Sequence, residues 1–257
     1  MRESGLIEAL EVRAGEMVCL VGGGGKTSLM FWLGRELAER YGRAIMTTTT
    51  RILEPNPSQA PCLLVSADEE EIRALIRPLL DEHGRVTLAA RRLPEGKLSG
   101  FPSEVIERLA LALPGVPWVI EADGSRQKPL KAPNATEPVI PPSTSLVVAM
   151  VGLDALEGRL TEEYVFRPEV AARLLGVPLG DPVVPEHVVG LLAHPEGILK
   201  GTPPGARTIA FLNKVDLPGA REKGEALALS ILLRTPPLVK RVLLGSAAAT
   251  CILPWEG

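Results

Sequence analysis

The stretch that most constrains the fold is Gly22-Gly23-Gly24-Gly25-Lys26-Thr27-Ser28. It follows the apolar run 17–21 and precedes a helical pattern beginning near Leu29. Four consecutive glycines remove every Cβ from one turn, so backbone N–H groups can close around an anion. The helix behind them directs its partial positive end to the same point. Lys26 adds a mobile full charge, and the Thr27 hydroxyl suits Mg2+. Strand, glycine loop, Lys-Thr and helix, in that order, read as a cradle for the phosphates of a nucleoside triphosphate. Gly22 to Ser28 are therefore candidate nucleotide-binding residues, with Gly23, Gly24, Gly25 and Lys26 expected to hold the β- and γ-phosphates. Lys26 is also a candidate catalytic cation, and Thr27 a metal ligand. The plain alternative is a glycine-rich turn with a solvated lysine.

The loop is short. The usual phosphate-binding pattern has a glycine five positions before Gly25, and that position here is Leu20, inside the apolar run. What remains is G-x-x-G-K-T, similar to the loop of Mur ligases.

Around this loop, apolar strand patterns alternate with helical ones, which argues for an α/β fold with a mostly parallel sheet flanked by helices, of the P-loop NTPase kind. Strands are expected at 17–21, 43–48, 62–65, 85–90, 118–122, 145–151, 208–212 and 239–244. Helices are expected at 27–41, 68–80, 102–113, 167–175, 185–193 and 219–232. Leu29, Leu33 and Leu37 recur at a four-residue step and give the first long helix its buried face. A proline-rich basic loop is expected over 127–142. The 257 residues fit a single domain, 1–257, with a small insertion around 152–206.

Three further segments carry chemistry. Trp118-Val119-Ile120-Glu121-Ala122-Asp123-Gly124 is an apolar strand ending in two carboxylates two residues apart, hence on one face. A neighbouring strand of this kind can deliver an acid to Mg2+ or to an attacking group. Asp123 is the first choice of metal ligand, and Glu121 the second catalytic acid. Thr47-Thr48-Thr49-Thr50-Arg51 places four hydroxyls at the carboxyl end of a strand, where open α/β sheets bind ligands. Thr49 is the candidate metal ligand among them, against the alternative that threonines merely extend a strand. Asn213-Lys214-Val215-Asp216 has the N-K-x-D form of a guanine reader. Asp216 can accept from the ring N–H and exocyclic amine together, a donor pair that adenine lacks. Ser246 and Ala247 follow the next strand, where a backbone N–H can reach guanine O6. GTP is favoured over ATP on these two motifs, with strand-end turns as the alternative. Arg126, Lys128 and Lys131 follow the acidic strand directly, three cations that could neutralise a second, anionic substrate or transition-state charge, and Arg51, Arg126 and Lys128 are expected to face that substrate or the γ-phosphate. Lys97 and Arg167 are weaker candidates.

Composition narrows the classes. A net charge of −3 and 4% aromatic residues give no basic or base-stacking surface for nucleic acid. The cysteines at 19, 62 and 251 lack metal or disulfide spacing, and three histidines show no ligand pattern. No apolar run reaches the roughly 18 residues of a membrane span. A cytoplasmic location is expected.

The combination V-G-G-G-G-K-T-S, T-T-T-T-R-I, E-A-D-G-S-R with K-A-P, and E-P-V-I-P resembles the selenium-dependent hydroxylase accessory proteins, also called selenium cofactor biosynthesis proteins. The resemblance implies a P-loop protein that helps mature a selenium- or molybdenum-dependent hydroxylase or its cofactor, with such a hydroxylase as client. Two reaction classes stay open. One is a GTPase-like switch, and the other a phosphoryl- or nucleotidyl-transferase or ligase acting on a small anionic acceptor.

Overall fold

The computed structural model describes residues 5–234 and 236–253. In chain order the elements are α1 (Leu6–Leu10), β1 (Met17–Gly22), α2 (Lys26–Tyr41), β2 (Ala44–Thr48), β3 (Arg51–Leu53), β4 (Leu63–Val65), α3 (Glu69–His83) and β5 (Arg85–Ala89). There follow β6 (Arg91–Leu93), β7 (Lys97–Ser99), α4 (Ser103–Leu111), β8 (Trp118–Glu121), β9 (Leu130–Lys131) and β10 (Leu146–Gly152). The chain continues with a 3-10 turn (Leu153–Glu157), β11 (Val165–Phe166), α5 (Pro168–Leu175), α6 (Pro185–Ala193), β12 (Arg207–Asn213), α7 (Ala220–Leu232), β13 (Arg241–Ser246) and β14 (Cys251–Leu253).

Nine strands form one sheet in the order β14-β13-β12-β10-β1-β8-β2-β5-β4. Every pairing within it is parallel except β13 with β14. This is the expected mostly parallel α/β sheet. Side-chain alternation sorts the strand residues between two cores. Val18, Leu20, Met46, Val119, Val148 and Phe211 pack with α1 and α2 on one face. Cys19, Val21, Ile45, Ile120, Val147, Val151 and Leu212 pack with α3 to α7 on the other. Both faces are covered, so the strands read as continuous apolar runs. Leu29, Leu33 and Leu37 of α2 are fully buried. At Gly34 an added Cβ would lie 2.3 Å from Met46 Sδ, so the helix sits close on the sheet.

This order puts β1 at the centre, directly between β8 and β10. The glycine loop and the two acids therefore leave adjacent parallel strands at the same carboxyl edge. Residues 153–206 form the connection between β10 and β12, and carry α5 and α6. The sequence patterns missed α1 and the short strands β3, β6, β7, β9, β11 and β14. These are two to five residues long and lack a full period. β3, β7 and β6 make a separate three-stranded sheet immediately after Thr50.

Candidate functional site

The glycines are dictated by both conformation and packing. Gly22, Gly24 and Gly25 have φ of +93°, +79° and +121°, a region that disfavours side chains. A Cβ would lie 2.3 Å from Met150 O at Gly22, from Gly152 N at Gly24, and from Asn213 Nδ2 at Gly25. The loop is thus pressed against β10 and the end of β12. Its first N–H groups are engaged by the protein: Gly22 N donates to Asp123 Oδ2 (3.0 Å), Gly23 N to Met150 O (2.9 Å) and Gly24 N to Lys128 O (2.9 Å). That corrects the expectation that Gly23 and Gly24 offer theirs to phosphate. Among the described residues, the N–H groups of Gly25, Lys26, Thr27 and Ser28 meet no acceptor, and Gly25 caps α2 without a side-chain bond. The end of the loop whose N–H groups are open to an acceptor is residues 25–28.

Lys26 turns back toward Gly22 and is 2% exposed. Its Nζ donates to Gly22 O (2.6 Å) and lies 3.1 Å from Asp123 Oδ1 and 3.7 Å from Glu121 Oε1. Both acids, 5% and 1% exposed for Glu121 and Asp123, reach one ammonium, as their spacing on one strand face implies. Burial alone would lower the Lys26 pKa, but Asp123 and Glu121 outweigh it and hold the ammonium above its ordinary value. Glu121 is pushed up, mainly by burial and further by Asp123, against the pull of Lys26 and the Thr27 hydroxyl. Thr27 Oγ1 donates to Glu121 Oε2 at 2.7 Å. The sequence left the choice between the acids open. The structure divides their work: Glu121 holds Thr27, and Asp123 holds the loop through Gly22 N.

Asp123 has a second cation in Lys131, one of the three cations that follow the acidic strand in sequence. Lys131, fully buried, places Nζ 3.1 Å from Asp123 Oδ2, donates to Gly124 O (2.7 Å) and pairs with Glu137 Oε2 (3.0 Å). Arg167 Nη1 joins the same Glu137 oxygen at 2.7 Å. Lys131 and Arg167 outweigh the burial of Glu137 and hold its carboxyl below the usual range. Leu130, Ala132 and Pro133 flank Lys131, an apolar setting that was the available signal for a buried lysine.

The threonine cluster is a brace. Thr47 Oγ1 donates to Leu88 O (2.9 Å), Thr48 Oγ1 to Glu121 O (2.8 Å) and Thr49 Oγ1 to Val139 O (2.9 Å). The Thr49 hydroxyl is thus engaged by a backbone carbonyl, while Thr49 N donates to Glu121 O at 3.1 Å. Arg51 and Arg126 are exposed.

At the far end of the loop, Asn213 is 4% exposed and ties two elements together. Its Nδ2 donates to Gly24 O (2.6 Å), and its Oδ1 accepts from Ala247 N (2.8 Å). Lys214, at φ +71°, pairs with Asp154 Oδ2 at 2.5 Å. Asp216 is exposed one turn further on. Ser246 is buried and accepts from Ala249 N at 3.2 Å, which shapes the turn after β13. N-K-x-D and the Ser246-Ala247 turn are thus in direct contact with each other and with the glycine loop.

Residues 18–169 match the family model described as YqeC protein. The chain belongs to the YqeC family. It is 33% identical over 204 residues to the uncharacterized protein YqeC of Escherichia coli strain K12, covering 77% of this chain and 75% of that one. The YqeC match takes in the glycine loop, both acids, Lys131, Glu137 and Arg167.

The donor set at this edge suits a cation shared with phosphate oxygens rather than one held by the protein alone. Among the described residues, no group of three or more His, Cys, Asp or Glu side chains could hold a metal ion. Mg2+ at phosphate sites needs only one or two carboxylates, with phosphate and water oxygens completing its shell. Thr27 and the two acids supply that donor set. Asp123 Oδ1 is buried and already faces the Lys26 ammonium at 3.1 Å, so a metal ion there would share this oxygen with Lys26 or displace it.

Proposed function

We propose that this chain binds a purine nucleoside triphosphate with Mg2+, GTP in preference to ATP, and uses it in the maturation of a selenium- or molybdenum-dependent hydroxylase or its cofactor. The observation that carries the nucleotide reading is the buried Lys26 ammonium, held by two carboxylates and Gly22 O, in a loop whose residues 25–28 have N–H groups that lack acceptors among the described residues. The N–H groups of residues 25–28 and Lys26 take the β- and γ-phosphate charge. Thr27 with Asp123 or Glu121 would hold Mg2+, which when bound neutralises charge developing on the phosphates. Asn213 sets the spacing between the phosphate loop and the 246–247 turn, Lys214 lines the base side, and Asp216 accepts from guanine. The maturation role rests on the resemblance of the motifs to the accessory proteins named above.

A second reading, transfer of a phosphoryl or nucleotidyl group to a small anionic acceptor, is favoured by the cations gathered beyond Asp123. Phosphorus NMR of Mg–GTP reactions separates the two. Phosphate released without an acceptor supports the hydrolytic switch, and turnover that requires an acceptor supports transfer. No phosphorus-containing product under either condition, with no nucleotide bound, overturns both.

A further inference from the structure

The nucleotide reading leaves one cluster unused. Phe166 lies in β11, paired in register with Lys131 of β9. Three cations face its ring: Arg167 with Cζ 4.4 Å from the ring centre, Arg126 with Cζ at 5.2 Å, and Lys131 with Nζ at 5.7 Å. On this side Glu137 answers Lys131 and Arg167, whereas Arg126 is exposed and has no carboxylate partner among the described residues. The backbone is also held in an uncommon state here. Arg126, Gln127 and Arg167 have φ of +49°, +63° and +63°, the left-handed region that favours glycine. A ring face attracts each cation singly, but three like charges around one ring repel one another. Positive charge concentrated in this way beside a reactive site is the arrangement that receives an anion.

We propose that Arg126 and Arg167, set on the Phe166 ring, seat an oxyanion group of a second small-molecule substrate, of phosphate or carboxylate type. Each guanidinium presents a planar fork that matches such a group. Lys131 joins this seat to the nucleotide site, since the same Nζ is 3.1 Å from Asp123 Oδ2. The role as an acceptor seat rests on the nucleotide reading above, while the anion site itself stands on these residues.

The test is calorimetric titration of inorganic phosphate into protein saturated with Mg2+ and the β,γ-imido analogue of GTP, so that the glycine loop is filled. One phosphate should bind per chain, weakened at least tenfold in Arg126→Gln and in Phe166→Leu, and less in Arg126→Lys. Arg40→Gln, the same charge loss at the opposite end of α2, should bind phosphate as the unaltered protein does. Analogue binding with no phosphate binding, or with phosphate affinity unchanged in Arg126→Gln, overturns the seat and spares the nucleotide reading. Failure of the analogue to bind overturns the nucleotide reading. Phosphate titrated into the nucleotide-free protein then decides the seat by the same tenfold dependence on Arg126, whose absence overturns it.

Discussion

Asn213 shows how much one side chain can determine. Its amide meets Gly24 O and Ala247 N at once, inside a region where water does not compete. Asn213→Ala should destabilise the fold by about 2–4 kcal/mol, because it strands two buried backbone groups. Chemical denaturation measures this, and a change below about 0.5 kcal/mol would show that the bonds are not formed. Asp216, by contrast, is exposed, so Asp216→Ala should leave stability within about 0.5 kcal/mol. Its effect belongs in selectivity: the preference for GTP over ATP should fall at least tenfold in competition binding. Equal loss for both nucleotides would mean that Asp216 does not read the base. That Lys26 and Asp123 belong together was legible in the sequence, because the glycine loop and the acidic strand end are segments that one chemical need would pair. The burial of Lys131 and its pairing with Glu137 were not, because they arise only when a proline-rich loop brings the two together.

At the level of elements, the glycine loop is a joint between β1, α2, β10 and β12. Gly24 and Gly42 separate the two requirements, since both have φ of +79°. A Cβ at Gly24 would lie 2.3 Å from Gly152 N, whereas at Gly42 nothing lies within 4 Å. Gly42→Ala should cost about 1 kcal/mol from backbone strain alone. Gly24→Ala should cost about 2–4 kcal/mol, as the loop must also move from β10. Thermal unfolding of the two variants checks this, and equal losses would remove the packing role. The long strands and helices could be read from periodicity because each buries a continuous face. β9 and β11 could not, since a two-residue strand has no period and exists only where its partner is already placed.

Across the whole molecule, the parallel sheet gathers residues from 22 to 247 at one edge, and a chain of charge runs through it from Lys26 by Asp123 and Lys131 to Glu137 and Arg167. Glu137 gives this chain a pH signature. Its folded pKa lies below the ordinary 4.5, so its stabilising contribution is present above that value and is lost as pH falls through the folded value. The melting temperature of Glu137→Gln should trail the unaltered protein most at neutral pH, with the gap closing below about pH 4.5. A gap independent of pH would mean that the ion pairs do not stabilise the fold. The full sheet order was not legible in the sequence, because nothing local dictates it; the place of β8 beside β1 was expected only from the chemistry of its two acids. Yet that placement is what brings Asp123 to Lys26 and makes one site of two distant motifs. Calorimetric titration with Mg–GTP and Mg–ATP tests that site most directly. One GTP should bind per chain, at least tenfold tighter than ATP, and Lys26→Ala should abolish binding of both. No binding of either nucleotide, or full affinity retained in Lys26→Ala, would contradict it.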